Sequence, residues 1–158
     1  RINLFCGCVS FHKDGFDIGM VLRSECLRRG MDVDKVCFHH VFVNSKPLYL
    51  TDTEVNEMYN AGDGGISTTR GEGFGLTPVE HMCLNRPQIV TGIPSLKETM
   101  GPYAHFVEPK LWLSVGESEP HDGEAAVCDY REFADHLQYC FKNPDEFPDA
   151  RENLTVEW

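Results

Sequence analysis

Glu72 and Glu80 bracket two alternating glycines in the stretch Glu72-Gly73-Phe74-Gly75-Leu76-Thr77-Pro78-Val79-Glu80, with a third, Gly71, just ahead of it. Glycines at 71, 73 and 75 remove side chains, so that backbone can approach a ligand closely. The loop runs straight into a segment that opens a helix, whose first-turn N–H groups lack intrahelical partners and attract an anion. Types and spacing therefore describe a phosphate cradle. It is not a Walker A loop, because no Lys followed by Ser or Thr closes it, and its glycine spacing is not that of GxGxxG. Arg70 adjoins the loop and could pair with phosphate, although an exposed turn arginine is the plainer reading.

Two carboxylates beside a phosphate repel it unless each reaches past it to something else. Ionised carboxylates accept hydrogen bonds and sugars offer hydroxyl donors. A diphosphate with a sugar at each end, a nucleotide-sugar, meets that requirement. Glu80 also has a purely structural explanation, since Thr77 and Glu80 have the spacing of a capping box. Thr77 is likewise a helix cap first, and Phe74 could plug the core while its backbone does the binding. Glu72 has no such alternative. Asp63, His39, His40 and His81 are singled out by type, but no metal-ligand spacing joins the histidines.

The elements that must position this loop follow from periodicity. Ile2–Cys8 reads as a buried strand. Ile18, Val21, Leu22 and Cys26 recur at helical spacing, with Asp17 to cap and Gly30 to stop the helix. Residues 36–43 are β-branched and aromatic enough for a second strand. Thr51 and Glu54 form a capping box ahead of Val55, Met58 and Tyr59. Strands are then expected at 64–68, 88–91 and 104–107, with helices opening at Thr77-Pro78 and, capped, at Ser95. Trp112–Ala126 lacks a period and reads as a loop. A last helix spans Tyr130–Asn143, with Phe133, Leu137, Cys140 and Phe141 inward and Pro144 ending it. The order βαβαβαβαβ implies an α/β fold, a Rossmann-like parallel sheet flanked by helices, in which ligands lie at the carboxyl ends of strands.

Composition limits what such a layer can be. The chain has 158 residues, 41% hydrophobic and 25% charged, which suits one globular domain over 1–143 followed by an acidic tail segment over 144–158. The net charge is -11, and from Glu117 to Trp158 there are 12 acids against 3 bases. An acidic surface repels nucleic-acid backbones, so no nucleic-acid partner is expected. No apolar run approaches the roughly 20 residues of a membrane span, and no leader pattern precedes Ile2, so no transmembrane segment and a cytoplasmic location are expected. Seven cysteines, none in a CxxC, read as buried free thiols, and the sequon Asn153-Leu154-Thr155 as accidental.

The run from Glu72 to Glu80, preceded by Tyr59-Asn60-Ala61-Gly62-Asp63 and followed by Asn85-Arg86-Pro87-Gln88-Ile89-Val90, closely resembles the carboxyl-terminal, donor-binding domain of GT-B glycosyltransferases, specifically the retaining GT4-type family with its E-x7-E signature. The resemblance is strongest over 36–110. It implies a glycosyltransferase that moves a sugar from a UDP- or GDP-sugar to a hydroxyl acceptor with retention, without metal or other cofactor. Glu72, the catalytic-site glutamate, would hold the donor sugar. The backbone of Gly73, Phe74, Gly75 and Leu76, with Thr77, would hold the diphosphate, and Glu80 the ribose. The base would lie near 43–50, where no specific motif occurs. The family also places an Arg and a Lys after an earlier strand. Lys13 lies too close to Glu72 to be that lysine, so Ile2 is expected to open the second strand, with the first βα unit and an amino-terminal acceptor-binding domain expected upstream. The alternatives are a non-catalytic nucleotide- or phosphate-binding module on a Rossmann-like scaffold, and a sugar-nucleotide epimerase-like enzyme.

Overall fold

The computed structural model describes residues 4–6, 18–32, 38–40, 50–115, 123–144 and 146. Lys13, the expected cap Asp17, the stretch 43–49 and most of 144–158 lie outside them. The chain divides into two compact units, Arg1–Val55 and Asn56–Trp158.

In the first unit, β1 (Leu4–Cys6) and β2 (Phe38–His40) pair in parallel, Leu4 opposite Phe38. Helix α1 (Ile18–Arg28) links them in sequence and ends where expected, with Gly30 at φ 65° and the Met31 N–H returning to the Cys26 carbonyl. Cys26 is buried on α1, whereas Val21 is exposed. The Thr51–Glu54 capping box forms as read. The Thr51 N–H donates to Glu54 Oε2 at 2.8 Å and the Glu54 N–H to Thr51 Oγ1 at 3.3 Å, starting α2 (Asp52–Ala61).

The second unit is built on three consecutive parallel strands, β3 (Gly65–Ser67), β4 (Gln88–Thr91) and β5 (Ala104–Val107), in that order. All four β4 residues are buried, as a central strand covered on both faces requires. Successive side chains point to opposite faces. Val90 accordingly packs with Met82, Ile93, Leu96, Met100 and Ala126, while Ile89 packs with Val107, Phe133 and Cys140. The first cluster belongs to α3 (Leu76–Met82) and α4 (Pro94–Met100), the second to α5 (Tyr130–Lys142). The result is an α/β unit with a Rossmann-like parallel sheet between helices.

β3 opens on a glycine for a steric reason. A Cβ on Gly65 would lie 2.2 Å from Gln88 Oε1 and 2.9 Å from His81 Nδ1, both on buried residues.

Three expectations are corrected. The segment read as a loop over 112–126 is largely an antiparallel hairpin, β6 (Pro109–Val115) with β7 (Gly123–Cys128), which puts Ala125 and Ala126 in the interior. Phe141 is exposed on α5, the inward face being Phe133, Leu137 and Cys140. Among the described residues the cysteines are mixed, with Cys26 and Cys140 buried, Cys128 half-buried and Cys83 exposed. Among the described residues no helix is long and apolar enough to cross a membrane.

Candidate functional site

The glycine loop lies between β3 and α3, at the carboxyl end of a parallel strand, where α/β sheets place their ligands. Residues 70–74 are exposed, and three carbonyl groups moor the loop to the body of the second unit. The Arg70 carbonyl accepts from the Ala126 N–H of β7 at 2.8 Å. The Glu72 carbonyl accepts from Ser95 Oγ at 2.6 Å, and the Phe74 carbonyl from Thr99 Oγ1 at 3.1 Å. Ser95 and Thr99 are four apart on α4, so one helix face carries both donors.

This mooring dictates where the N–H groups point. In a planar trans peptide the carbonyl and the following N–H are opposed, and the described chain has no cis bond. With the carbonyls of 70, 72 and 74 turned onto the protein, the N–H groups of Gly71, Gly73 and Gly75 point the other way. A Cβ added at Gly71 or Gly73 would meet nothing within 4 Å. The loop thus offers alternate N–H groups on an uncrowded side, an arrangement suited to an anion. At present the Gly73 N–H reaches only its neighbour's carboxylate, Glu72 Oε1, at 3.2 Å.

Gly75 differs from the other two. It is buried, its φ is 82°, and a Cβ there would sit 2.3 Å from Leu96 Cδ2. The fold itself demands this glycine. Its left-handed conformation makes it the N-cap of α3, so the helix begins at Leu76, one residue before Thr77. The expected capping box between Thr77 and Glu80 therefore does not form. Pro78 is in the first turn as read, which leaves Leu76 and Thr77 as that turn's remaining N–H donors, since the Val79 N–H already bonds the Gly75 carbonyl. Ser95 likewise does not cap α4. Ile93 is that N-cap, with Pro94 opening the helix, and the Ser95 hydroxyl is the one holding Glu72.

The remaining site residues fall into place around this loop. The Glu72 side chain lies over Gly75, its Cγ 3.7 Å from the Cβ position there. Glu80, freed from capping, accepts a 2.9 Å hydrogen bond on Oε2 from the Tyr59 hydroxyl of α2. Tyr59 stacks on His81, ring centroids 5.3 Å apart and planes 18° apart. Burial pushes the Tyr59 phenol up, and the adjoining Glu80 carboxylate adds to this, while a hydrogen bond with Thr77 opposes it. Burial also pulls His81 below the usual histidine range, so it sits as a neutral packing ring. Phe74, half-exposed, does not plug the core, and Arg70 and Leu76 are exposed. Asp63 is exposed beyond the end of α2.

Reasoning from sequence overlooked Ser95, Thr99 and Ala126, which hold the loop, and the link from Tyr59 to Glu80. The i, i+4 pairing of hydroxyls on α4 was the legible signal for the first two. Nothing local marks Ala126, whose contact depends on the hairpin. Among the described residues no group of three or more His, Cys, Asp or Glu is placed to hold a metal ion.

No family model matches the chain. Similarity is found to proteins of Escherichia coli named serotype-specific mannosyltransferase WbdA. One is 31% identical over 109 residues, covering 65% of this chain and 12% of the relative. Another is 28% identical over 110 residues, covering 60% of this chain and 14% of the relative. The chain therefore spans only 12 to 14% of the length of these curated relatives. Together with the Rossmann-like unit and its moored loop, that likeness supports a glycosyltransferase relationship.

Proposed function

We propose that the chain is the donor-binding part of a retaining glycosyltransferase of GT-B, GT4-like type, which holds a nucleoside-diphosphate sugar while the sugar passes to a hydroxyl acceptor carried by another domain. The observation that supports it most is the moored loop, whose carbonyls are occupied by Ala126, Ser95 and Thr99 and whose alternate N–H groups face away from those anchors. The likeness to mannosyltransferases agrees with a sugar-transferring role.

In this reading the backbone at Gly73, Phe74, Gly75 and Leu76, with Thr77, holds the diphosphate, and Arg70 screens its charge. Fixed N–H donors stabilise the departing diphosphate electrostatically, the task a metal ion otherwise performs. Glu72 accepts hydroxyls of the donor sugar and orients it, and Glu80 accepts those of the ribose. The acceptor hydroxyl attacks on the face the diphosphate leaves, and the diphosphate takes its proton, which preserves the anomeric configuration.

Titration of the chain with UDP- and GDP-sugars and with the corresponding mononucleotides tests this. The sugar nucleotide is expected to bind better, and Glu72→Ala to weaken mainly the increment due to the sugar. Nucleotide binding with no sugar increment points to a non-catalytic module, and NAD binding to an epimerase-like enzyme. Turnover by the 158-residue chain alone would overturn the division of labour proposed here.

A further inference from the structure

Glu80 is exposed on a short helix and takes no part in capping it, so nothing in α3 itself fixes its carboxylate. What fixes it is Tyr59, from a different helix and 21 positions away, whose hydroxyl donates to Oε2. The tyrosine is itself held from two sides. Its ring stacks on the buried His81, and its hydroxyl is tied to Glu80. The His81 ring is wedged in turn, since Cβ positions at Gly62 and Gly65 lie 3.3 and 2.9 Å from it. A carboxylate pinned through one oxygen loses its rotational freedom and presents the other oxygen, with the remaining lone pair of the first, in a fixed direction. Two acceptors side by side match the two adjacent hydroxyls of a ribose, and a 2′-deoxyribose satisfies only one of them.

Resting on the donor-binding reading, we propose that Tyr59 is a positioning residue that sets the Glu80 carboxylate for a vicinal diol, making the site select ribonucleoside over 2′-deoxyribonucleoside diphosphates. The phenol is suited to this because burial and the carboxylate keep it protonated, and therefore a donor, across neutral pH.

The test is titration of the full chain with GDP and 2′-deoxy-GDP, and with UDP and 2′-deoxy-UDP, for the wild type, Tyr59→Phe, Glu80→Ala and the double variant. Phenylalanine keeps the ring against His81, so the melting temperature serves as the check that packing survives. The wild type is expected to prefer the ribonucleotide, and Tyr59→Phe to shrink that preference by about three- to tenfold, the range of one well-placed hydrogen bond. Added to Glu80→Ala, Tyr59→Phe is expected to do nothing further, because it acts through the carboxylate. Equal weakening of both sugars by Tyr59→Phe, or a full effect in the Glu80→Ala background, overturns the inference. A ribose preference that Glu80→Ala removes and Tyr59→Phe leaves intact overturns it while sparing the donor-binding reading. A wild type with no ribose preference also overturns it, and one that binds no nucleoside diphosphate overturns both.

Discussion

Gly75 lies directly against Leu96, so close that a Cβ on the glycine would stand 2.3 Å from the leucine's Cδ2. Leu96 is fully buried in the cluster between the sheet and helices α3 and α4. The last glycine of the loop is therefore part of the core, while the two before it face open space.

This separates two substitutions that look alike in the sequence. Gly75→Ala meets both a φ of 82° and the Leu96 side chain. The first costs about 1 kcal/mol or more and overpacking another ~1–3 kcal/mol, so a clear fall in melting temperature is expected. Gly73→Ala meets neither and should melt with the wild type. If the loop grips a diphosphate, Gly73→Ala weakens nucleoside-diphosphate binding at unchanged stability, because the new methyl crowds the side from which the ligand approaches. Calorimetric melting alongside a GDP or UDP titration reads both.

The hydroxyls of α4 should matter to binding beyond their worth to folding. Ser95→Ala removes the 2.6 Å bond to the Glu72 carbonyl, and Thr99→Val the one to Phe74. Each bond is partly exposed to water, so the stability loss is about 0.5–1.5 kcal/mol. The larger effect is on the loop. Without its moorings the peptide planes at 72–73 and 74–75 can rotate, and the N–H groups lose their common direction. The expected result is larger backbone motion at Gly73 and Gly75, read as lower amide order parameters in both variants, with weaker diphosphate binding. Unchanged order parameters in the double variant would remove the moorings as the cause.

These anchors mark the limit of what local sequence could reveal. The capping box at Thr51 and Glu54 was legible because all its parts lie within four residues, and the strand at 88–91 because the β-branched residues Ile89, Val90 and Thr91 follow one another between the breakers Pro87 and Gly92. The second capping box, at Thr77 and Glu80, had the same spacing and failed. Gly75 turns the chain into a helix one residue early, and Tyr59 captures the carboxylate. The hairpin was missed because Leu111, Trp112 and Leu113 break the alternation that marks a half-buried strand, and all three are partly exposed. The site's outline, two acids around alternating glycines, could be read from side chains. Its mechanics could not, since they rest on carbonyl groups that every residue shares.

His81 should make stability depend on pH. Burial holds its folded pKa below the ordinary 6.5, with Arg86 adding to the shift and backbone contacts with Tyr59 and Gly62 opposing it. The folded protein therefore binds fewer protons than the unfolded chain below about pH 6.5. Stability is fully present above that pH and declines as pH falls from it toward the folded pKa. His105, also lowered by burial and by the neighbouring His136, acts in the same sense. Urea denaturation between pH 7.5 and 5.5 is expected to show the decline. His81→Phe, which keeps a ring against Tyr59, should make it shallower, and His81→Phe with His105→Phe shallower still. An unaltered slope in both would assign the dependence to other groups.

The hairpin should prove to be a support of the site. Ala126 is buried against Met82, Val90, Leu96 and Met100 while its N–H holds the Arg70 carbonyl at the start of the loop. A larger side chain there has no room, and Ala126→Leu is expected to cost about 1–3 kcal/mol by overpacking. Because the same residue anchors the loop, any strand shift that relieves the strain also moves Arg70, so diphosphate binding should weaken in the fraction that stays folded. Leu111, nearly half exposed on the partner strand, makes the contrast. Leu111→Ser is expected to stay within about 0.5 kcal/mol of the wild type and to leave binding unchanged. Equal behaviour of the two variants in melting and titration would mean that the hairpin hangs on the unit without bracing its loop.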